Sequence, residues 1–241
     1  MNLLVLGANS DMAQAIARKF AQAEHANLYL ASRHLETLEK RAKDIKIRYE
    51  VEAKPLFFDA TDYSSHLEFY TNLDPKPDGV VLSFGYLGDQ GKGQQNFKEV
   101  EQIVATNFLG AASILEIIAA DFEERGYGFI IGISSVAGER GRQSNYIYGA
   151  AKSGLTVYLS GLRNRLFSKN VRVITVLPGF VHTKMTEDLD LPGPLTAEVK
   201  EIADDVYGTY KKGKEIFEQN SKELEDKIDE VYRYLYENNI K

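Results

Sequence analysis

Apolar residues in this chain gather in two kinds of run that take turns. Short continuous runs occupy residues 3–6, 28–31, 55–58, 79–83, 128–133 and 171–177. An unbroken apolar run of this length suits a strand covered on both faces, as in a parallel sheet. Between these runs the apolar residues return at helical spacing. Met12, Ile16 and Phe20 form one stripe with Ala13 and Ala17 beside it, and helices are also expected over 35–46, 64–72 and 197–211. Residues 97–124 are apolar nearly all round (Val100, Ile103, Val104, Phe108, Leu109, Ile114, Leu115, Ile117, Ile118). That predicts one long helix buried on two sides, against the sheet and against a second subunit. Residues 215–217 read as a short last strand, and Leu224, Ile228, Val231 and Leu235 as a helical tail. Strand and helix alternating throughout predict an α/β fold. The expected architecture is a doubly wound, Rossmann-like parallel sheet of about seven strands flanked by helices. We read residues 1–241 as one dinucleotide-binding domain, with 180–198 (Pro192, Gly193, Pro194) as a loop over the site.

Ligands on such sheets bind at the carboxyl ends of the strands, and the unusual residues lie there. Gly7-Ala8-Asn9-Ser10-Asp11 follows the first strand and opens a helix, the context of a phosphate-binding turn. Gly7 is kept, but Asp11 and Ala13 stand where glycines are usual, and a carboxylate repels a pyrophosphate unless it caps the helix and points away. The second strand ends at Ser32-Arg33 with no acidic residue for a ribose 2′-hydroxyl. Arg33 suits a 2′-phosphate, so NADP(H) is expected over NAD(H); the alternative is a solvated surface residue. Asp59 could take an adenine amino group or cap the next short helix. Asn107 is a polar residue inside an apolar helix, either a structural bridge or the holder of an active-site water. Ser135 could bind a substrate carbonyl oxygen or cap a turn.

Tyr148 and Lys152 are four apart, which on a helix puts both on one face. An ammonium at about 4 Å in an effective dielectric of ~20 attracts a phenolate by roughly 4 kcal/mol, enough to lower the phenol by a few pKa units. Such a phenol would serve as a general acid/base near neutral pH. The alternative is a solvated helix face.

Composition narrows the classes. The chain has 241 residues, 44% hydrophobic and 27% charged, within the range of an ordinary globular chain. A formal net charge of −6 argues against nucleic-acid binding. With no Cys, disulfides, thiolate catalysis and Cys-ligated metal are excluded, and a reducing, cytoplasmic setting fits. His25, His34, His66 and His182 have no metal-ligand spacing, so no metal is expected. No apolar run reads as membrane-spanning, and the strand pattern begins at once, so neither an integral membrane segment nor a signal peptide is expected.

Taken together, these residues resemble the short-chain dehydrogenase/reductase family over nearly the whole chain. The spacing of Ser135, Tyr148 and Lys152 is similar to that family's catalytic set, with Asn107 where its fourth member lies. The resemblance implies cofactor contacts from Gly7, Asn9, Ser10, Asp11, Met12, Arg33, Asp59, Gly85, Tyr148 and Lys152. It also implies nicotinamide contacts from Pro178, Gly179, Val181 and Thr183. The family's Asn-Asn-Ala-Gly reads Leu82-Ser83-Phe84-Gly85 here. Phe84 to Asp89, Ala137 to Arg140 and Asn145 to Tyr148 look like the decaprenylphosphoryl-2-keto-pentose (erythro-pentofuranosid-2-ulose) reductases of mycobacterial arabinan synthesis, and Pro194-Leu195-Thr196 matches less closely. Those enzymes carry a more apolar C-terminal segment than the charged Ser221–Lys241 here. Arg140 and Arg142 could face a substrate phosphate or lie on an exposed turn. The resemblance implies an NADP(H)-dependent reductase of a small carbonyl compound, a keto-sugar among the candidates, working as a homodimer or homotetramer. A non-catalytic dinucleotide-binding regulator or scaffold is the alternative that the altered turn supports. An extended-branch sugar epimerase or dehydratase needs a longer chain.

Overall fold

Successive side chains of a strand point to opposite faces, and here both faces are covered. The computed structural model describes residues 1–187 and 196–219. Among them, in chain order, lie β1 (Asn2–Leu6), α1 (Asp11–Glu24), β2 (Asn27–Ser32), α2 (Leu35–Tyr49), β3 (Ala53–Phe57), α3 (His66–Thr71) and β4 (Gly79–Leu82). Then come α4 (Gln90–Gln95), α5 (Phe97–Val104), α6 (Gly110–Arg125), β5 (Gly128–Ile133), α7 (Tyr146–Leu166) and β6 (Val171–Leu177). β7 (Phe180–Val181), β8 (Thr196–Ala197), α8 (Val199–Lys211) and β9 (Ile216–Glu218) complete the set.

Seven strands form one parallel sheet in the order β3-β2-β1-β4-β5-β6-β9. Leu3 and Val5 of β1 face α1, α2 and α8, in a core with Ile16, Phe20, Leu38, Ile45 and Val206. Leu4 and Leu6 face α3, α6 and α7, in a core with Ile114, Ile118, Phe122, Leu155 and Leu159. Burying side chains of this size is worth roughly 1.5–3 kcal/mol each. The order of strands turns back between β1 and β4, where Leu6 pairs with Leu82. Gly7 and Ser83 therefore leave the sheet side by side, at the crevice where such folds take their ligands.

The structure departs from the sequence reading in four places. The long helix is two helices joined by a π turn at Ala105–Leu109 that contains Asn107. Its run Phe97–Arg125 is, against expectation, long and apolar enough to cross a membrane by length and composition. Ile114, Leu115, Ile118 and Phe122 on that run are buried against the sheet, which accounts for much of its apolar character. The short helix α4 has no apolar stripe and escaped the pattern reading. Within 180–198, Phe180 and Val181 pair in parallel with Thr196 and Ala197. Pro192-Gly193-Pro194, Leu195 and the tail with Leu224, Ile228, Val231 and Leu235 lie outside the described residues.

Candidate active site

The turn after β1 is built without the usual glycines. Gly7 has φ +82, and a Cβ there would stand 2.4 Å from the Phe84 amide nitrogen. Gly7 is thus required by the crossing of β4's exit as well as by its left-handed backbone. Ser10, not Asp11, caps α1: its hydroxyl accepts from the Ala13 amide at 3.0 Å and pairs with the Ser83 hydroxyl at 3.0 Å. Asp11 begins the helix and its carboxylate accepts from the Lys184 amide at 2.9 Å, tying the turn to the segment after β6. The cap expected of Asp11 is therefore corrected, because a serine one residue earlier has the shorter reach. Met12 is partly buried against the core of this face.

Asn9 donates to the Ser32 hydroxyl at 3.2 Å and to the His34 carbonyl at 3.1 Å, which joins the turn to the end of β2. Arg33 is exposed and near enough to Asp59 to act on its charge. Burial pushes Asp59 up, but the amide and hydroxyl of Thr61, at 2.9 and 2.8 Å, together with Arg33 and His66, hold it below its ordinary range. Asp59 closes a local turn onto Thr61 and does not cap the helix that follows. Arg41, which the sequence reading missed, reaches the same turn from α2. It donates to the Ala8 carbonyl at 3.2 Å, and burial lowers it while Asp11 raises it. Only its place on the helix that follows Arg33 could have signalled it.

Beyond β4, Asn107 clasps one residue from both sides. Its Nδ2 donates to the Tyr86 carbonyl at 2.6 Å and the Ile103 carbonyl at 2.8 Å, and its Oδ1 accepts from the Tyr86 amide at 3.2 Å. The structural-bridge reading of Asn107 is realised in the amide. A Cβ on Gly85 would lie 2.9 Å from Asn107 Oδ1 and 3.7 Å from Lys152 Nζ, so Gly85 is the floor between them. Glu99 accepts from the Tyr86 hydroxyl at 2.8 Å and the Asp89 amide at 2.9 Å, holding the glycine-rich segment firmly.

Ser135, Tyr148 and Lys152 come together at the carboxyl end of β5. Ser135 caps a short 3-10 turn through the Ala137 amide at 3.1 Å, and its hydroxyl lies near enough to Tyr148 to favour the phenolate. Lys152 is 3% exposed and donates to the Ile133 carbonyl at 3.0 Å, with its ammonium 5.8 Å from the Tyr148 ring centroid. The expected depression of the phenol by the amine is not found. Burial pushes Tyr148 up to about 12 against the pull of Ser135, and burial brings Lys152 down to about 8. Desolvation penalises both charged forms here and is the largest influence on each.

The segment after β6 runs beside this group. The Pro178 carbonyl accepts from the Val136 amide at 3.1 Å, and the Gly179 amide donates to Gln219 Oε1 at 2.9 Å. Val181 is buried, and the Thr183 hydroxyl pairs with that of Thr186 at 3.2 Å. Arg140 is exposed and Arg142 half-buried in the loop between Ser135 and Tyr148.

Six buried side-chain polar atoms among the described residues have no hydrogen-bond partner. Two, Asn9 Oδ1 and Gln14 Oε1, lie at the turn after β1. Together with the first-turn amides of α1 and the cations of Arg33 and Arg41, they make a cradle that fits the sugar hydroxyls and phosphates of a dinucleotide.

Three comparisons bear on this site. The family model "short chain dehydrogenase" matches residues 1–192. An uncharacterised oxidoreductase of Mycobacterium tuberculosis is 33% identical over 204 residues, 83% of this chain and 81% of the relative. An NADP-dependent 3-hydroxy acid dehydrogenase of Schizosaccharomyces pombe is 28% identical over 76% of this chain and 73% of its own length. Among solved structures, a short-chain dehydrogenase from Sphingobium yanoikuyae in complex with NADPH superposes with a TM-score of 0.84 at 22% identity, covering 98% of this chain and 95% of the other.

Proposed function

The chain belongs to the short-chain dehydrogenase family and is an oxidoreductase, and from that premise we propose that it reduces a carbonyl group to an alcohol with NADPH. The observation that carries the proposal is the gathering of Ser135 and the buried Lys152 ammonium beside Tyr148, at the end of the sheet that also holds the dinucleotide cradle. NADPH, when bound, supplies the hydride that reaches the carbonyl carbon. Ser135 donates a hydrogen bond to the carbonyl oxygen. Tyr148 gives its proton to that oxygen as the alkoxide develops, and its raised pKa keeps it in the acid form at neutral pH, the form that reduction consumes. Lys152 stabilises the resulting phenolate and holds the nicotinamide ribose hydroxyls. Asn107, fixed by Tyr86 and Ile103, orders the route by which a proton returns.

In the same reading Arg33 and Arg41 meet the 2′-phosphate, which favours NADP(H) over NAD(H). Asn9, Ser10, Asp11 and Met12 line the pyrophosphate, with the Asp11 carboxylate turned to Lys184. Asp59 flanks the adenine, Gly85 the nicotinamide ribose, and Pro178, Gly179, Val181 and Thr183 the nicotinamide. The described residues 180–187 flank the substrate, and the whole site belongs to one dinucleotide-binding domain. The motifs shared with keto-pentose reductases support a keto-sugar substrate. A Cys-free chain suits the reducing cytoplasm. Leu109 and Val157, 46% and 69% exposed on neighbouring helices, suit a homodimer or homotetramer, and sedimentation at the 27.1 kDa monomer mass would refute that.

Tyr148→Phe should lower turnover at least a hundredfold, within the usual worth of a general acid, while NADPH still quenches or shifts fluorescence as in the native protein. Native turnover in this variant removes Tyr148 from the reaction. NADPH binding without turnover of any ketone by the native chain would instead favour a binding protein.

A further inference from the structure

Among the described residues, half of the unpartnered buried side-chain polar atoms sit around the first turn of the helix that carries Tyr148. They are Gln90 Nε2, Arg142 Nε and Asn145 Oδ1. Asn145 is the N-cap of α7, yet its side chain makes no cap hydrogen bond. The reason lies across the cleft. Gln90 Oε1 accepts from the Ile147 amide at 3.1 Å, taking the donor that an N-cap asparagine normally satisfies. This bond also settles which end of the Gln90 amide is which, because an amide N–H can only meet the oxygen. The Gln90 donors are thereby left over on one side and the Asn145 acceptor on the other.

Leaving such groups unmatched is costly away from water, and buried polar groups are nearly always paired. Two neighbouring anchors are rigid. Asp89 caps α4 through the Lys92 amide at 2.9 Å, and the Asn145 amide donates to the Arg142 carbonyl at 3.1 Å. The backbone that carries these groups is thus anchored, and the groups themselves call for a partner that both donates and accepts. A phosphate offers acceptors only and would leave Asn145 Oδ1 unmatched. A hydroxyl accepts from Gln90 or Arg142 and donates to Asn145.

We propose that Gln90, Arg142 and Asn145 form a subsite for hydroxyl groups of the substrate, so the ketone reduced at Tyr148 is a polyhydroxylated one. The proposal rests on the reductase reading above and narrows its substrate class. It also gives α4 a role: it brings Gln90 to the first turn of α7. Arg142 acts here through its Nε donor and not as a phosphate clamp.

The test compares cyclohexanone with 2-, 3- and 4-hydroxycyclohexanone, each assayed with NADPH in the native protein, Gln90→Glu and Asn145→Ala. Gln90→Glu keeps the oxygen that caps Ile147 and loses the donors. Asn145→Ala loses the acceptor, and its fold is safe because the side chain caps nothing. At least one hydroxy isomer should exceed cyclohexanone at least tenfold in kcat/KM in the native protein, and that ratio should collapse toward one in both variants. A native ratio below tenfold, or a ratio that survives both substitutions, overturns the subsite. Absence of turnover with all four ketones, in protein that binds NADPH, strikes first at the reductase reading and takes this proposal with it.

Discussion

Lys152 shows how far a residue's environment can move it from its sequence-level character. Its value falls from an ordinary 10.5 to about 8 because burial penalises the ammonium. Between pH 8 and 10.5 the unfolded chain therefore binds more protons than the folded one, and stability rises with pH across that window. Below pH 8 the buried charge exerts its full cost, on the order of 3 kcal/mol by linkage. Lys152→Met should accordingly be more stable than the native protein at pH 7, with an advantage that shrinks from pH 8 towards 10.5. Tyr148, raised to about 12, works in the opposite sense, since its contribution is present below pH 10 and is lost as pH climbs through 12. Denaturant titrations of both proteins from pH 7 to 10 keep the two effects apart, and a pH-independent difference would refute the assignment. That Ser135, Tyr148 and Lys152 come together was legible from spacing and family resemblance; their ionisation was not.

At the scale of elements, α7 approaches the turn after Ser135 through Gly149. A Cβ there would stand 2.6 Å from the Ala137 carbonyl oxygen, a backbone atom that cannot rotate aside. Gly149→Ala should push the helix off that turn, part Tyr148 from Ser135 and lower turnover at least tenfold, with a fall in melting temperature. Gly161 of the same helix has nothing within 4 Å of a Cβ. Gly161→Ala should therefore be neutral or stabilise by roughly 0.5–1 kcal/mol through helix propensity. Equal behaviour of the two variants in thermal melts and ketone assays would contradict the close-approach argument. The strands of the main sheet were readable because most are short unbroken apolar runs, as burial on both faces demands. The π turn at Asn107 and the helix α4 were not. The first breaks no hydrophobic pattern, and the second is a polar six-residue helix held by contacts to distant residues.

At the scale of the molecule, a chain of net charge −6 is read as binding a polyanion. Overall charge opposes that association, so affinity must come from local cations whose effect extends about 10 Å at moderate salt. In the proposed reading Arg33 and Arg41 supply them at one end of the crevice. Arg33→Ala and Arg41→Met should each weaken NADPH at least tenfold while changing NADH less than twofold, measured by nicotinamide fluorescence at fixed ionic strength. Matching losses for both cofactors would make the arginines structural only. Arg33 was visible as the residue that follows β2. Arg41 became visible only when α2 folded back over Ala8, 33 residues earlier in the chain.

The division between chain and fold follows from range. Unbroken apolar runs and helical apolar patterns are local, so most of the strand and helix order and the parallel sheet could be read before any coordinates. Charge states and hydrogen-bond partners depend on what packs nearby from elsewhere. Asp11 meets the Lys184 amide across 173 positions, and Gln90 meets the Ile147 amide across 57. Such pairings, and the desolvation of Tyr148 and Lys152 that accompanies them, exist only once the layers have closed.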